Sequence, residues 1–239
     1  MSGNEQEYNT FVYTSMNCHL TTPRTHMVTT FAYDSPWGKI IYESMIEAEL
    51  VYAHKLLMKL KNERVTGSIV EFGVFEGFWL KQLANWRESL NLDWDVWGFD
   101  SFEGLPATTA ADLDCWKEGD YAADYAGVSK NLDVASRPWL HLVKGWFNKT
   151  LIQTQVQSID RIAFARIDCD LYEPAVECLK YLGPRLVDQA ILVFDDWTFD
   201  LSKGETRAFY EWVPQVPNLK FQFLEANAIG HFYLTVSRA

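Results

Sequence analysis

Five short apolar runs, each stopped by glycine or aspartate, constrain the fold of this chain more than any other feature. They are 68–73 (SIVEFG), 95–100 (DVWGFD), 140–145 (LHLVKG), 162–168 (IAFARID) and 190–196 (AILVFDD). Each is rich in β-branched or aromatic residues, which suit a buried pleated strand. Residues 77–90 and 174–186 lie between runs and carry helical spacing, the second with Pro174 suited to a first turn. Alternation of strand and helix implies right-handed crossovers, so the expected class is α/β, a mostly parallel sheet with helices on both faces. The ending differs. Runs 220–226 and 231–238 flank Asn227-Ala228-Ile229-Gly230 and read as a hairpin, which adds an antiparallel strand and brings the sheet to seven. Upstream, residues 42–61 place Met45, Ile46, Leu50, Ala53, Leu57 and Leu60 on one face of an amphipathic helix that covers the sheet. Residues 1–40 contain Pro23, Pro36 and scattered aromatics without a period. They read as an irregular extension, a lid over the acceptor, ahead of a single domain at 41–239.

With 239 residues, 48% hydrophobic and 22% charged, the chain can bury a full one-domain core. A net charge of −11 argues against a nucleic-acid backbone and against anionic membranes as partners. No run approaches the ~18 apolar residues of a membrane span. The opening MSGNEQEYNT is polar and acidic, unlike a signal or transit peptide. Cys18, Cys115, Cys169 and Cys178 lie far apart and read as reduced thiols of a cytoplasmic protein. Aromatic residues reach 15% with ten tryptophans, more than a core alone requires, which leaves rings to line a pocket.

In sheets of this kind ligands bind beyond the carboxyl ends of the strands. The first run ends in Glu71-Phe72-Gly73-Val74-Phe75-Glu76-Gly77. Gly73 permits a tight turn and Gly77 a close approach at the start of the next helix, although glycines here also serve as plain turn residues. The second run ends at Asp100, followed by Ser101, where a carboxylate can accept hydrogen bonds from ribose hydroxyls. A phosphate-binding loop would want cations. Glu71 and Glu76 suit an uncharged or cationic ligand instead, although Glu76 serves equally as a helix-start residue. The third run ends in Lys144-Gly145-Trp146-Phe147, an aromatic pair that either sandwiches an adenine or packs in the core.

Asp168-Cys169-Asp170 closes the fourth run and Asp195-Asp196 the fifth. Adjacent strands lie about 4.8 Å apart, so these carboxylates can converge on one ion. Clustered acids repel one another unless a cation neutralises them, and an all-carboxylate set suits Mg²⁺. Isolated DxD or DD pairs also act as caps and turns. Two at successive strand ends, level with the cofactor loop, favour the ion. Asp168-Cys169-Asp170 also matches the DxD of metal-dependent glycosyltransferases, but the acidic first loop fits a nucleotide diphosphate poorly.

Taken in order, VEFGVFEG (70–77), FDSFEGLP (99–106), VKGWF (143–147), RIDCDLY (166–172), VFDDW (193–197) and GETRA (204–208) resemble the macrocin O-methyltransferase family of antibiotic-sugar methyltransferases. The resemblance spans about residues 65–212. It implies a class I methyltransferase fold, S-adenosylmethionine and Mg²⁺. It puts cofactor contacts on Glu71, Gly73, Asp100 and Trp146, with Val74, Phe75, Gly77, Ser101, Gly145 and Asp168 in the same loops. It puts the metal ligands on Asp168, Asp195 and Asp196. The implied acceptor is a sugar hydroxyl of a small glycosylated natural product, with a catechol-like diol as the alternative. Asp168 or Asp170 would take the proton. Catechol methyltransferases carry a lysine base three positions after the first metal aspartate; that position is Leu171 here. Phe78 stands where the family often has a glycine, which narrows the methionine end. The sequence leaves monomer and homodimer equally open.

Overall fold

A computed structural model of the chain describes residues 36–198, 200–226 and 230–239. The first helix is α1 (Pro36–Asn62), followed by β1 (Ser68–Phe72), α2 (Phe78–Ser89) and β2 (Val96–Asp100). Then come α3 (Tyr125–Asn131), β3 (Leu140–Lys144), α4 (Phe147–Thr150), α5 (Thr154–Gln157) and β4 (Ile162–Ile167). The chain continues through α6 (Tyr172–Leu182), β5 (Leu186–Phe194), α7 (Gly204–Trp212), β6 (Leu219–Ala226) and β7 (Phe232–Arg238). The sheet has seven strands in the order β3-β2-β1-β4-β5-β7-β6. Pairs β1–β2, β1–β4, β2–β3 and β4–β5 are parallel; β7 runs antiparallel to both β5 and β6. This is the class I methyltransferase arrangement the sequence leads one to expect.

The central strand explains itself. All six residues of β4 are buried, because β1 and β5 flank it and helices cover both faces. On α6, Ala175, Cys178, Leu179 and Leu182 recur at helical spacing and make the face that packs on the sheet. On α1, Ala53, Leu57 and Leu60 are fully buried, as their period requires.

Two helix boundaries and several short helices differ from expectation. α1 begins at Pro36, inside the stretch read as irregular, because proline is favoured in a helix's first turn. The second predicted helix ends at Leu182 and not at 186, since Leu186 already opens β5. α3, α4, α5 and α7 fall where the sequence leads one to expect no helix. Of the lid expected over residues 1–40, residues 1–35 lie outside the described residues and 36–40 belong to α1. So do Asn227, Ala228 and Ile229 of the hairpin, whose strands pair as far as Ala226 and Phe232. No helix among the described residues is long and apolar enough to cross a membrane.

Candidate functional site

At the carboxyl end of the sheet, β1 and β4 come so close that Gly73 is obligatory. Its φ is +87°, and a Cβ built there would sit 1.6 Å from the Asp168 carbonyl oxygen. The loop that follows is held by Asp100 at the end of β2. Its Oδ2 accepts from the N–H of Val74 (2.7 Å) and of Phe75 (2.8 Å), and its Oδ1 from that of Phe102 (2.6 Å). Ser101 Oγ donates to the Gly104 carbonyl (3.1 Å) and shapes the next turn. After β3, Gly145 turns the chain with φ +136°. The aromatic pair then divides: Trp146 faces the cavity, while Phe147 also packs edge-on against Phe72 of the core (5.8 Å).

The acidic edge is built from β4 and β5. Asp168, Asp195 and Asp196 each offer a carboxylate oxygen, and these atoms all lie within 4.8 Å of one another. Part of the neutralising charge comes from within the chain. Arg166, 2% exposed, reaches both Asp168 and Asp195 and stacks 4.7 Å from the Trp79 ring centroid. It is also the register partner of Glu71 on β1, and Nη1 lies 3.4 Å from Glu71 Oε1. Glu71 is thus turned into a buried ion pair. Asp196 lies outside these pairings: its buried Oδ2 accepts no hydrogen bond among the described residues. An orphaned carboxylate oxygen among all-oxygen donors fits a hard divalent cation. Glu205 of α7 ties the two strand ends together, accepting from the N–H of Cys169 (2.9 Å) and of Asp196 (3.3 Å).

A cavity of about 860 Å³ joins the two regions. Gly73, Phe75, Asp100, Ser101, Gly145 and Trp146 line it, and so do Asp168, Asp170, Asp195 and Asp196. That volume, near the upper end of ordinary ligand pockets, suits a cofactor together with an acceptor. Glu71, Val74 and Gly77 do not line it. Glu76 is exposed, so Asp100 is the carboxylate of the nucleotide loops that reaches the cavity. Leu171, at the position of a lysine base in catechol enzymes, is 1% exposed and packs with Leu105 and Trp116.

Sequence reasoning missed Arg166, Glu205, Glu49 and His231. A signal existed for the first: Glu71 and Arg166 are opposite charges in apolar runs, each one residue from its strand end, and a parallel sheet sets them side by side. Glu49 stands within the apolar stripe of α1. His231 had no such signal, because its partner depends on the β5–β7 register.

The carboxyls of this edge titrate abnormally. Burial pushes Asp168 up to about 7 and Glu205 up to about 8. Burial would lower His231, but Asp195 and Glu49 outweigh it and carry it to about 10. Asp195 is held far below the carboxylate range by Arg166 and His231, which outweigh its burial. The first three groups bind their protons more tightly folded than unfolded. Their stabilisation is complete below the unfolded values, about 4 to 6.5, and is lost as pH rises through the folded ones. The contribution of Asp195 fades only at acid pH. The ion-free protein should therefore melt lower at about pH 8.5 than at about pH 6, and Mg²⁺ should narrow the gap. A melting temperature that rises across that interval would contradict the assignment.

The profile of the macrocin-O-methyltransferase family matches residues 12–212 of this chain. A curated relative from Streptomyces olivaceus, 8-demethyl-8-(2,3-dimethoxy-alpha-L-rhamnosyl)-tetracenomycin-C 4'-O-methyltransferase, is 30% identical over 149 residues. The match covers 57% of this chain and 55% of the relative, so the chain spans about half the length of that protein. Among solved structures, the O-methyltransferase NovP superposes with a TM-score of 0.69 at 20% identity, covering 98% of this chain and 99% of that one. The calicheamicin methyltransferase CalS11 gives 0.59 at 20% identity, covering 98% and 93%. An O-methyltransferase from Bacillus cereus, solved with S-adenosylhomocysteine, gives 0.53 at 14% identity, covering 84% and 90%. These likenesses establish the fold.

Proposed function

The chain belongs to the macrocin-O-methyltransferase family, and from that premise we propose that it methylates a sugar hydroxyl of a small glycosylated natural product. The donor in this reading is S-adenosylmethionine, and Mg²⁺ sits at the acidic edge. One observation carries it: Asp168, Asp195 and Asp196 converge in the same cavity that Gly73, Asp100 and Trp146 line. The curated relative, a rhamnosyl O-methyltransferase by name, supports the acceptor class. Neither the catechol nor the glycosyltransferase alternative gains support: Leu171 is core, and the matched family transfers methyl groups. Cys169 and Cys178 are buried free thiols, which suits the reducing cytoplasm proposed as its location.

In this scheme Asp100 accepts the ribose hydroxyls while holding the loop amides, and Trp146 offers a face to the adenine. When bound by Asp168, Asp195 and Asp196, Mg²⁺ supplies positive charge that lowers the pKa of the acceptor hydroxyl. Asp170 receives that hydroxyl's proton. It lines the cavity and lies beside Asp196, and burial holds its carboxyl well above the ordinary carboxylate range. Asp168 is committed to Arg166 and the ligand set. The acceptor's sugar ring packs against Phe75 and Tyr121, which line the cavity and meet edge-on at 5.4 Å.

The test is direct. Incubation with S-adenosylmethionine and a rhamnosyl glycoside should release S-adenosylhomocysteine. Tight NAD binding with no response to S-adenosylhomocysteine would defeat the reading. Asp100→Ala should weaken S-adenosylhomocysteine binding by about 1.5–3 kcal/mol, the scale of hydrogen bonds to a charged group. Calorimetry would detect the change, and unchanged affinity would remove Asp100 from the cofactor site.

A further inference from the structure

Behind the acidic edge, a buried polar chain runs to the helix that covers the sheet. The antiparallel register sets Phe194 of β5 opposite Phe232 of β7, so the next residues outward, Asp195 and His231, face each other. His231 is 5% exposed, and its Nε2 lies 2.5 Å from Asp195 Oδ1. Its Nδ1 contacts Glu49 Oε1 of α1. Glu49, 3% exposed, also accepts from Tyr233 Oη (2.8 Å), two residues further along the same face of β7. Tyr52 of α1 packs edge-on against the Tyr233 ring at 5.1 Å. A lone carboxylate in an apolar helix stripe would be costly, so its burial calls for a partner of this kind. Arg166 approaches the same Oδ1 of Asp195 as His231 does. Two donors on Oδ1 leave Oδ2 as the oxygen to offer an ion.

We propose that His231 is a positioning residue for metal binding: it fixes Asp195 with Oδ2 presented, and Glu49 fixes the imidazole, so that filling the metal site and docking α1 are linked. The proposal rests on the reading of Asp168, Asp195 and Asp196 as Mg²⁺ ligands. Partners that orient a metal ligand from behind typically matter by roughly 10–100-fold in affinity. Linkage runs both ways, so an ion that gains from a seated α1 must also hold α1 in place.

The experiment titrates Mn²⁺ into the full chain by calorimetry and follows hydrogen exchange of α1 amides in matched samples. The parent should bind one ion per chain, and exchange over residues 43–53 should slow as it fills. His231→Gln and Glu49→Gln should each weaken Mn²⁺ binding roughly 10–100-fold and erase the ion-dependent slowing. Both should keep their S-adenosylhomocysteine affinity, whose proposed contacts lie on the loops after β1, β2 and β3. Tyr233→Phe, which leaves the His231–Asp195 contact in place, should bind Mn²⁺ much as the parent does. A folded His231→Gln protein with parental Mn²⁺ affinity overturns the positioning role. Two ions per chain also overturn it, by placing a cation between Glu49 and His231. Unchanged α1 exchange in the ion-filled parent breaks the link to the helix, whether or not the variants fold. A parent that takes no ion brings down the metal reading itself, a failure distinct from the others.

Discussion

Methyl transfer should cease when EDTA strips divalent ions and return when Mg²⁺ is restored, with S-adenosylhomocysteine affinity nearly constant throughout. The cofactor contacts proposed at Gly73, Asp100 and Trp146 are separate from the three carboxylates, so the two functions can be lost independently. A metal at a reacting oxygen is worth several kcal/mol in the transition state, so Asp196→Asn should cut turnover on the order of 100-fold or more. The structure predicts opposite stability effects for two of the proposed ligands. Asp168 meets buried Arg166, so Asp168→Asn removes a partner from an enclosed guanidinium and should destabilise the fold. Asp196 has an unpartnered oxygen, and burial with the neighbouring Asp170 and Glu205 pushes its carboxyl well up. Asp196→Asn should therefore leave the ion-free protein as stable as the parent, or more so. Thermal melts beside turnover assays separate these cases. A structural cap at Asp196 predicts lost stability with activity falling only as folding fails, and full activity in EDTA would remove the metal from the mechanism.

Gly73→Ala should be among the most destabilising single methyl additions in the chain. The left-handed conformation costs a non-glycine residue about 1–2 kcal/mol. The added carbon also meets the Asp168 backbone at 1.6 Å, and neither strand end can yield without breaking the Asp168 N–H bond to the Phe72 carbonyl (2.8 Å). Overpacking of this kind adds about 1–3 kcal/mol, so a drop on the order of 10 °C in melting temperature is expected for a domain of this size. Gly77→Ala is the control. Its φ is similar at +84°, but its Cβ would meet only side-chain carbons of Val128 and Leu132, the nearest at 3.1 Å, which can shift. Gly77→Ala should melt well above Gly73→Ala. Equal melting temperatures would show that conformation, and not the approach of β4, makes Gly73 necessary.

The parts of the site legible in the sequence were those fixed by where strands stop. Gly73, Asp100, Gly145, Asp168 and Asp195 each mark the end of an apolar run, and the parallel sheet brings all five to one edge through the backbone alone. What the strand ends do not specify is side-chain direction. Glu71 reads as a cofactor contact from its place in VEFGVFEG, yet the pleat turns it inward to Arg166. Trp146 and Phe147 are adjacent in sequence and both line the cavity, but Phe147 also packs against Phe72 of the core. Glu205 holds two strand ends from a helix nine residues beyond Asp196, a contact set by how α7 packs and not by any local pattern. His231 was the least legible, since it depends on a pairing between strands separated by a helix and another strand.

The position of β7 has a consequence for biosynthesis. It is translated after β6 but inserts between β5 and β6, so the sheet cannot be completed in the order the ribosome supplies it. Until β7 emerges, β5 presents an unpaired edge made of the buried sequence Ala190–Phe194, the type of edge that invites wrong partners. The same late strand brings His231 to Asp195 and Tyr233 to Glu49. A nascent chain therefore completes its core and its acidic edge in a single closing step, and fragments stalled before that step are the ones a chaperone would have to shield.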